Sequence, residues 1–94
     1  MNPLSPNQKD RIRELAREFG AHDVRVFGSR ARGQHHAGSD LDLLVRFGGR
    51  ATLLTVIGFQ HAVQEAIGLR VDVVEEDGLS PFLAQRILNE AIAL

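Results

Sequence analysis

The chain of 94 residues carries 11 basic against 12 acidic side chains, a formal net charge of -1, with 44% hydrophobic and 24% charged residues. That length holds one small domain over residues 1–94, without room for a separate substrate domain, and the composition is that of a globular chain rather than a disordered one. Balanced charge argues against direct nucleic-acid binding, and the absence of cysteine excludes disulfides, zinc–thiolate sites and thiol nucleophiles.

No apolar segment of signal-peptide type follows Met1, and no apolar run reaches membrane-spanning length, so a cytoplasmic protein with no membrane partner is the expectation. Ser5-Pro6 starts a helix, with Ser5 as N-cap, Pro6 in the first turn and Gln8 completing a capping box. Ile12, Leu15, Ala16 and Phe19 give that helix one apolar stripe, and Gly20 stops it. Val24 to Phe27 is a short strand ended by Gly28. Ser29 to Arg32 fits a brief helix, and GQHHAG fits an exposed loop.

Asp40 to Phe47 is the clearest strand, with Leu41, Leu43, Val45 and Phe47 on one face and Asp40, Asp42, Leu44 and Arg46 on the other. After a Gly48-Gly49-Arg50 turn, Thr52 caps a helix to about Ile67 whose apolar positions include Leu53, Val56, Ile57, Val63 and Ile67. Gly58 inside it costs about 1 kcal/mol. Leu69, Val71 and Val73 alternate with Arg70, Asp72 and Val74 as a third strand, and Glu75, Glu76 and Asp77 read as a solvated acidic run. Ser80-Pro81 opens a last helix bearing Leu83, Ile87, Ala91 and Leu94, its stripe widened by Phe82 and Leu88. Strands alternating with helices imply an α/β (α+β) domain, a small sheet of three or more strands flanked by helices.

Asp40 and Asp42 stand two apart on a strand, so their carboxylates leave one face about 6.5–7 Å apart along it. Carboxylates this close repel unless a cation lies between them, and magnesium prefers hard oxygen ligands that it shares with substrate phosphates. Asp72 adds a third carboxylate if the strands bearing Asp42 and Asp72 are neighbours in register. That set supports a two-metal site that holds attacking and leaving oxygens in line. The plainer reading is that these aspartates are polar-face residues paired with Arg46 and Arg70. Asp is disfavoured in strands, however, and three at strand positions in one small domain are hard to explain by packing.

Gly28-Ser29 offers a tight turn, backbone N–H groups and a hydroxyl where a short helix begins, which suits a phosphate. It is not a Walker A loop, since no G-x-x-x-x-G-K-[ST] occurs. Arg30 and Arg32 either neutralise phosphate charge or form an exposed basic face. His35 and His36 read as solvated loop residues, and His22 and His61 as structural ones. No G-x-S-x-G elbow or H-E-x-x-H motif is present, so serine-hydrolase and zincin chemistry are excluded.

The run GSRARG, then SDLDLLV with ten residues between Ser29 and Asp40, and then VDVV resembles the DNA-polymerase-β-like nucleotidyltransferases, and within them the minimal, MNT-type antitoxins. The resemblance implies a mixed-sheet transferase core and transfer of AMP from ATP to a hydroxyl, with pyrophosphate leaving. Gly28 and Ser29 would hold the triphosphate, Asp40 and Asp42 would bind a pair of Mg2+ ions, and Asp72 would ligate the metal nearest the acceptor. Arg32, in the Ala-Arg-Gly run, takes a phosphate-binding or structural role. It further implies a partner, a HEPN-domain RNase toxin modified on a tyrosine, and the last helix is a candidate contact. Two other readings stand beside it: a non-catalytic antitoxin or binding subunit of the same fold, and nucleotidyl transfer to a small molecule such as an aminoglycoside.

Overall fold

A computed structural model of the chain describes residues 4–28, 31, 33, 40–49 and 51–94. The brief helix expected over 29–32, the histidine loop and Arg50 lie outside the described residues or only partly within them. The elements run α1 (Pro6–Phe19), β1 (Ala21–Phe27), β2 (Leu41–Phe47), α2 (Leu53–Ile67), β3 (Val71–Glu75), a 3-10 turn (Glu76–Gly78), α3 (Pro81–Glu90) and β4 (Ile92–Ala93).

Each helix begins where a side-chain oxygen meets an orphan amide. Ser5 Oγ accepts from the Gln8 N–H at 3.2 Å while Gln8 Oε1 accepts from the Ser5 N–H at 2.9 Å. Thr52 and Thr55 repeat this box on α2, and Ser80 Oγ accepts from the Leu83 N–H at 3.3 Å on α3. Ser5→Ala is expected to lower unfolding free energy by about 1 kcal/mol in urea titration, since the Gln8 N–H loses its acceptor while the bond from the residue-5 N–H to Gln8 Oε1 remains. A loss indistinguishable from zero would mean that solvent serves the first turn equally well.

The strands form a mixed sheet in the order β3-β2-β1-β4, with β2 and β3 parallel and β1 antiparallel to both β2 and β4. Leu41, Leu43, Val45 and Phe47 are buried on the face covered by α1 and α2, together with Ile12, Leu15, Ala16, Val26, Val63 and Val71. Leu44 is buried as well, on the opposite face and outside this cluster, while Arg46 on that face is exposed. The expected strand faces therefore hold, but the second face is not uniformly wet.

The apolar register expected for α2 needs correction. Leu53 and Leu54 are 74% and 80% exposed, and Ile57 is exposed too, whereas Phe59 is fully buried beside Val63. The core stripe runs Val56, Phe59, Val63, Ile67, rotated away from Leu53 and Ile57. Phe59 meets Phe19 and Phe47 edge-on, with ring centroids 5.9 and 5.8 Å apart. Gly58 is more than a tolerated weakness, since a Cβ there would lie 3.1 Å from Phe19 Cε2, and its bareness lets α1 close on α2.

The last helix is shorter than its stripe predicts. It stops at Glu90, with Ala91 extended, and Ile92–Ala93 pair with Val26 and Arg25 as β4. The Leu94 N–H donates to the Val24 carbonyl at 3.3 Å. Without β4, strand β1 would end the sheet with a row of unpaired backbone groups, and covering that edge outweighs one more turn of helix. No residue of α3 is buried, and Phe82 is 74% exposed, so its stripe is not core packing. The first strand also begins earlier than expected, at Ala21, with an irregularity between Ala21 and Asp23 that fits the polar His22-Asp23 pair into the ladder.

Candidate active site

At one end of the sheet β1 finishes while β2 and β3 begin. Antiparallel pairing sets Phe27 opposite Asp42, and parallel pairing sets Asp42 beside Asp72. Paired residues on neighbouring strands project to the same face about 4.8 Å apart, so the carboxylates of Asp42 and Asp72 emerge side by side. Asp40 immediately precedes β2. Asp40 and Asp42 are half-buried and Asp72 is exposed.

Like charges directly opposite on a sheet are destabilising. The expected structural alternative, pairing with Arg46 and Arg70, is not what the fold does. Arg46 faces Glu76 at 3.8 Å, which also corrects the reading of Glu76 as a purely solvated residue. Among the described residues neither the Asp40 nor the Asp72 side chain takes part in an ion pair or hydrogen bond. The adjacency of Asp42 and Asp72 is an arrangement that a cation between the carboxylates would relieve.

Gly28 lies against this pair. Its φ is +77°, and a Cβ there would overlap Asp42 Oδ2 while sitting 3.2 Å from Asp42 Cγ. Only glycine allows the turn after β1 to pass so close to the carboxylate. The Gly28 N–H donates to Glu90 Oε1 at 3.2 Å, a partly buried bond that ties the end of α3 to this turn. Glu90 had no signal in the sequence, because it stands 62 positions away at the end of an amphipathic helix. Ser29, Arg30, Arg32, His35 and His36 lie outside the described residues.

The structure therefore brings Gly28, Asp42 and Asp72 together. Among the described residues, no three Asp, Glu or His side chains are gathered closely enough to cage an ion. A full protein cage is not what Mg2+ requires, since it keeps several waters and takes one or two carboxylates plus substrate phosphates. The carboxylate donors of Asp40, Asp42 and Asp72 are of the hard oxygen type that suits it. Among the described residues, two hollows of about 350 and 380 Å³ open at the other end of the β1–β2 ladder, around His22, and a third of about 250 Å³ lies against Glu90, the residue bonded to the Gly28 turn. The carboxylate end is the candidate site, and His22, an exposed residue, lies beside Gly48 at the far end of the ladder.

A mixed sheet that sets strand-borne aspartates beside a glycine turn, with helices on one face, is the core of a nucleotidyltransferase. The chain belongs to the nucleotidyltransferase domain family, whose model matches residues 9–94. It is 36% identical over 80 residues to the protein adenylyltransferase MntA of Thermococcus cleftensis, covering 85% of this chain and 81% of that one. A solved structure assigned as a minimal nucleotidyltransferase shares 44% identity at a TM-score of 0.83, covering 94% of this chain and 89% of that one. The fold is also that of the MNT antitoxin solved with the tri-AMPylated HEPN toxin of Shewanella oneidensis (TM-score 0.74, 17% identity, 96% of this chain and 71% of that one). Among the described residues no helix is long and apolar enough to cross a membrane.

Proposed function

We propose that this nucleotidyltransferase moves AMP from ATP onto a hydroxyl of a protein partner, a tyrosine of a HEPN-type RNase toxin, and so acts as its antitoxin in the cytoplasm. The observation that carries this reading is the Gly28–Asp42–Asp72 juxtaposition, supported by the adenylyltransferase relative and by the antitoxin with the same fold. The acceptor oxygen attacks the α-phosphorus, the bond to the β-phosphate oxygen breaks, pyrophosphate leaves, and the acceptor proton passes to a nearby base.

Gly28, with Ser29, Arg30 and Arg32, holds the triphosphate. Asp40 and Asp42 would hold Mg2+, Asp72 would add a third carboxylate to them, and Asp72 would accept the hydroxyl proton. Bound Mg2+ supplies charge neutralisation at the phosphates and an acidified acceptor oxygen. The protein's own share is positioning, which suits a chain of this size. The exposed Phe82 and Leu83 of α3 offer the partner an apolar surface.

A binding subunit that inhibits by occlusion is the second reading, favoured by that same exposed helix. Small-molecule transfer, as to an aminoglycoside, ranks third, because nothing in the described sheet and helices forms an acceptor domain. The test incubates the chain with labelled ATP, Mg2+ and a co-expressed HEPN-domain protein. Label is expected on the partner, and Asp40→Ala with Asp42→Ala is expected to lower its rate by about a hundredfold or more with the far-UV spectrum unchanged. Absent label, together with inhibition that survives the double substitution, assigns occlusion instead.

A further inference from the structure

Strand β3 closes the sheet on one side, and among the described residues its outward backbone groups have no neighbouring strand. Its inward side is served by β2, as in the bond from the Leu41 N–H to the Arg70 carbonyl at 2.8 Å. On the outward side the amides of Val71 and Val73 meet side chains from α2. The Val71 N–H donates to Gln64 Oε1 at 3.0 Å, and the Val73 N–H donates to Gln60 Oε1 at 3.1 Å. Both bonds are partly buried. Glutamines four apart share one helix face and rise about 6 Å along it, while amides two apart on a strand are separated by about 6.5–7 Å. The match lets α2 stand in for a fifth strand.

The residue between these two amides is Asp72. From these bonds we propose that Gln60 and Gln64 are positioning residues for nucleotidyl transfer, fixing β3 along its length so that the Asp72 carboxylate stays level with Asp42. Slippage along a parallel ladder would move Asp72 off the Asp42 position or turn it to the other face. An edge strand held on one side only is free to fray and shift. Ordinary edge protection would be met by any cover, whereas here both acceptors fall on the amides that flank the aspartate. The inference rests on the transferase reading for its catalytic consequence and on the hydrogen bonds alone for its structural one.

The experiment compares Gln60→Leu, Gln64→Leu, the double variant, and Gln60→Glu with Gln64→Glu, which retains an acceptor oxygen at both places. In the full chain, the double leucine variant is expected to raise amide exchange at Val71 and Val73 about tenfold each. The cross-strand nuclear Overhauser contacts between Asp42 and Asp72 are expected to weaken or vanish. In label transfer, kcat is expected to fall about tenfold or more while the KM for ATP moves less than threefold, because Gly28 directly follows β1, Asp40 directly precedes β2 and Asp42 lies on it. The glutamate pair is expected to restore both the contacts and the rate. Either leucine alone keeps one bond and gives an intermediate change if the double variant fails to fold. Unchanged Asp42–Asp72 contacts in a folded leucine variant overturn the proposal, as do a KM rise without a kcat change and a glutamate pair as poor as the leucine pair. If the wild-type chain transfers no label, the transferase reading fails, and the exchange and contact data still decide whether the glutamines place Asp72.

Discussion

Gly28→Ala is expected to reduce nucleotidyl transfer by about a hundredfold or more, with a stability loss of about 2 kcal/mol. Two separate costs fall on one methyl group. At φ +77° an L-residue is strained by about 1–2 kcal/mol. The new Cβ would also overlap Asp42 Oδ2, with Cγ at 3.2 Å and the Asp42 Cβ at 3.4 Å, so carboxylate or turn must move. If the carboxylate moves, it leaves its level with Asp72. If the turn moves, the Gly28 N–H leaves Glu90. Gly20→Ala separates the two costs, since Gly20 has φ +78° with nothing within 4 Å of a Cβ. That substitution should cost stability of the same order and leave transfer unchanged. Label transfer and urea unfolding on both variants provide the measurement, and a Gly28→Ala chain that transfers within threefold of wild type would show that the close approach to Asp42 is not required.

The comparison of Gly28 with Asp72 shows what a sequence can carry. Helix starts at Ser5, Thr52 and Ser80 were legible because capping is local chemistry, decided within four residues. The alternation of β2 was legible for the same reason, and its Leu41–Phe47 face is the buried one. The partnership of Asp42 and Asp72 was conditional on two strands being neighbours in register, and the parallel β2–β3 ladder meets that condition. Other features depend on what a distant part of the chain leaves open. Strand β4 exists because β1 would otherwise present an uncovered edge, so the periodicity from Leu83 to Leu94 overran the helix. Phe59, Leu53 and Ile57 all fit an apolar helix, and only the position of Phe19 and Phe47 selects the face that turns inward. Glu90, Gln60 and Gln64 act through backbone amides that no side-chain pattern reveals. Ser29, Arg30 and Arg32, the rest of the phosphate turn, lie outside the described residues.

Phe59→Ala is expected to cost about 3–5 kcal/mol. The side chain is fully buried and joins three elements at once, since α2 carries it, α1 brings Phe19 to one edge and β2 brings Phe47 to another. Removing it loses the transfer free energy of the ring, two edge-to-face contacts of about 0.5–1.5 kcal/mol each, and the packing of a cavity that its neighbours cannot fill. Collapse is resisted on every side. Phe47 sits in a strand held by ladder bonds to β1, and Phe19 lies so near Gly58 that a Cβ there would come within 3.1 Å of its ring, so neither ring has much slack to follow. Native domains of this size hold roughly 5–14 kcal/mol in all, so the loss takes a large share of that reserve and lowers Tm by about 15–30 °C. The consequence reaches the active end, because α2 also carries Gln60 and Gln64 and thereby the placement of Asp72. Phe59→Leu, which keeps most of the volume, should cost less than half as much. Equilibrium urea unfolding decides it: a loss under about 1.5 kcal/mol for Phe59→Ala at an unchanged m-value would mean that α1 and β2 close over the gap, and that the α1–α2 layer is softer than three interlocked rings imply.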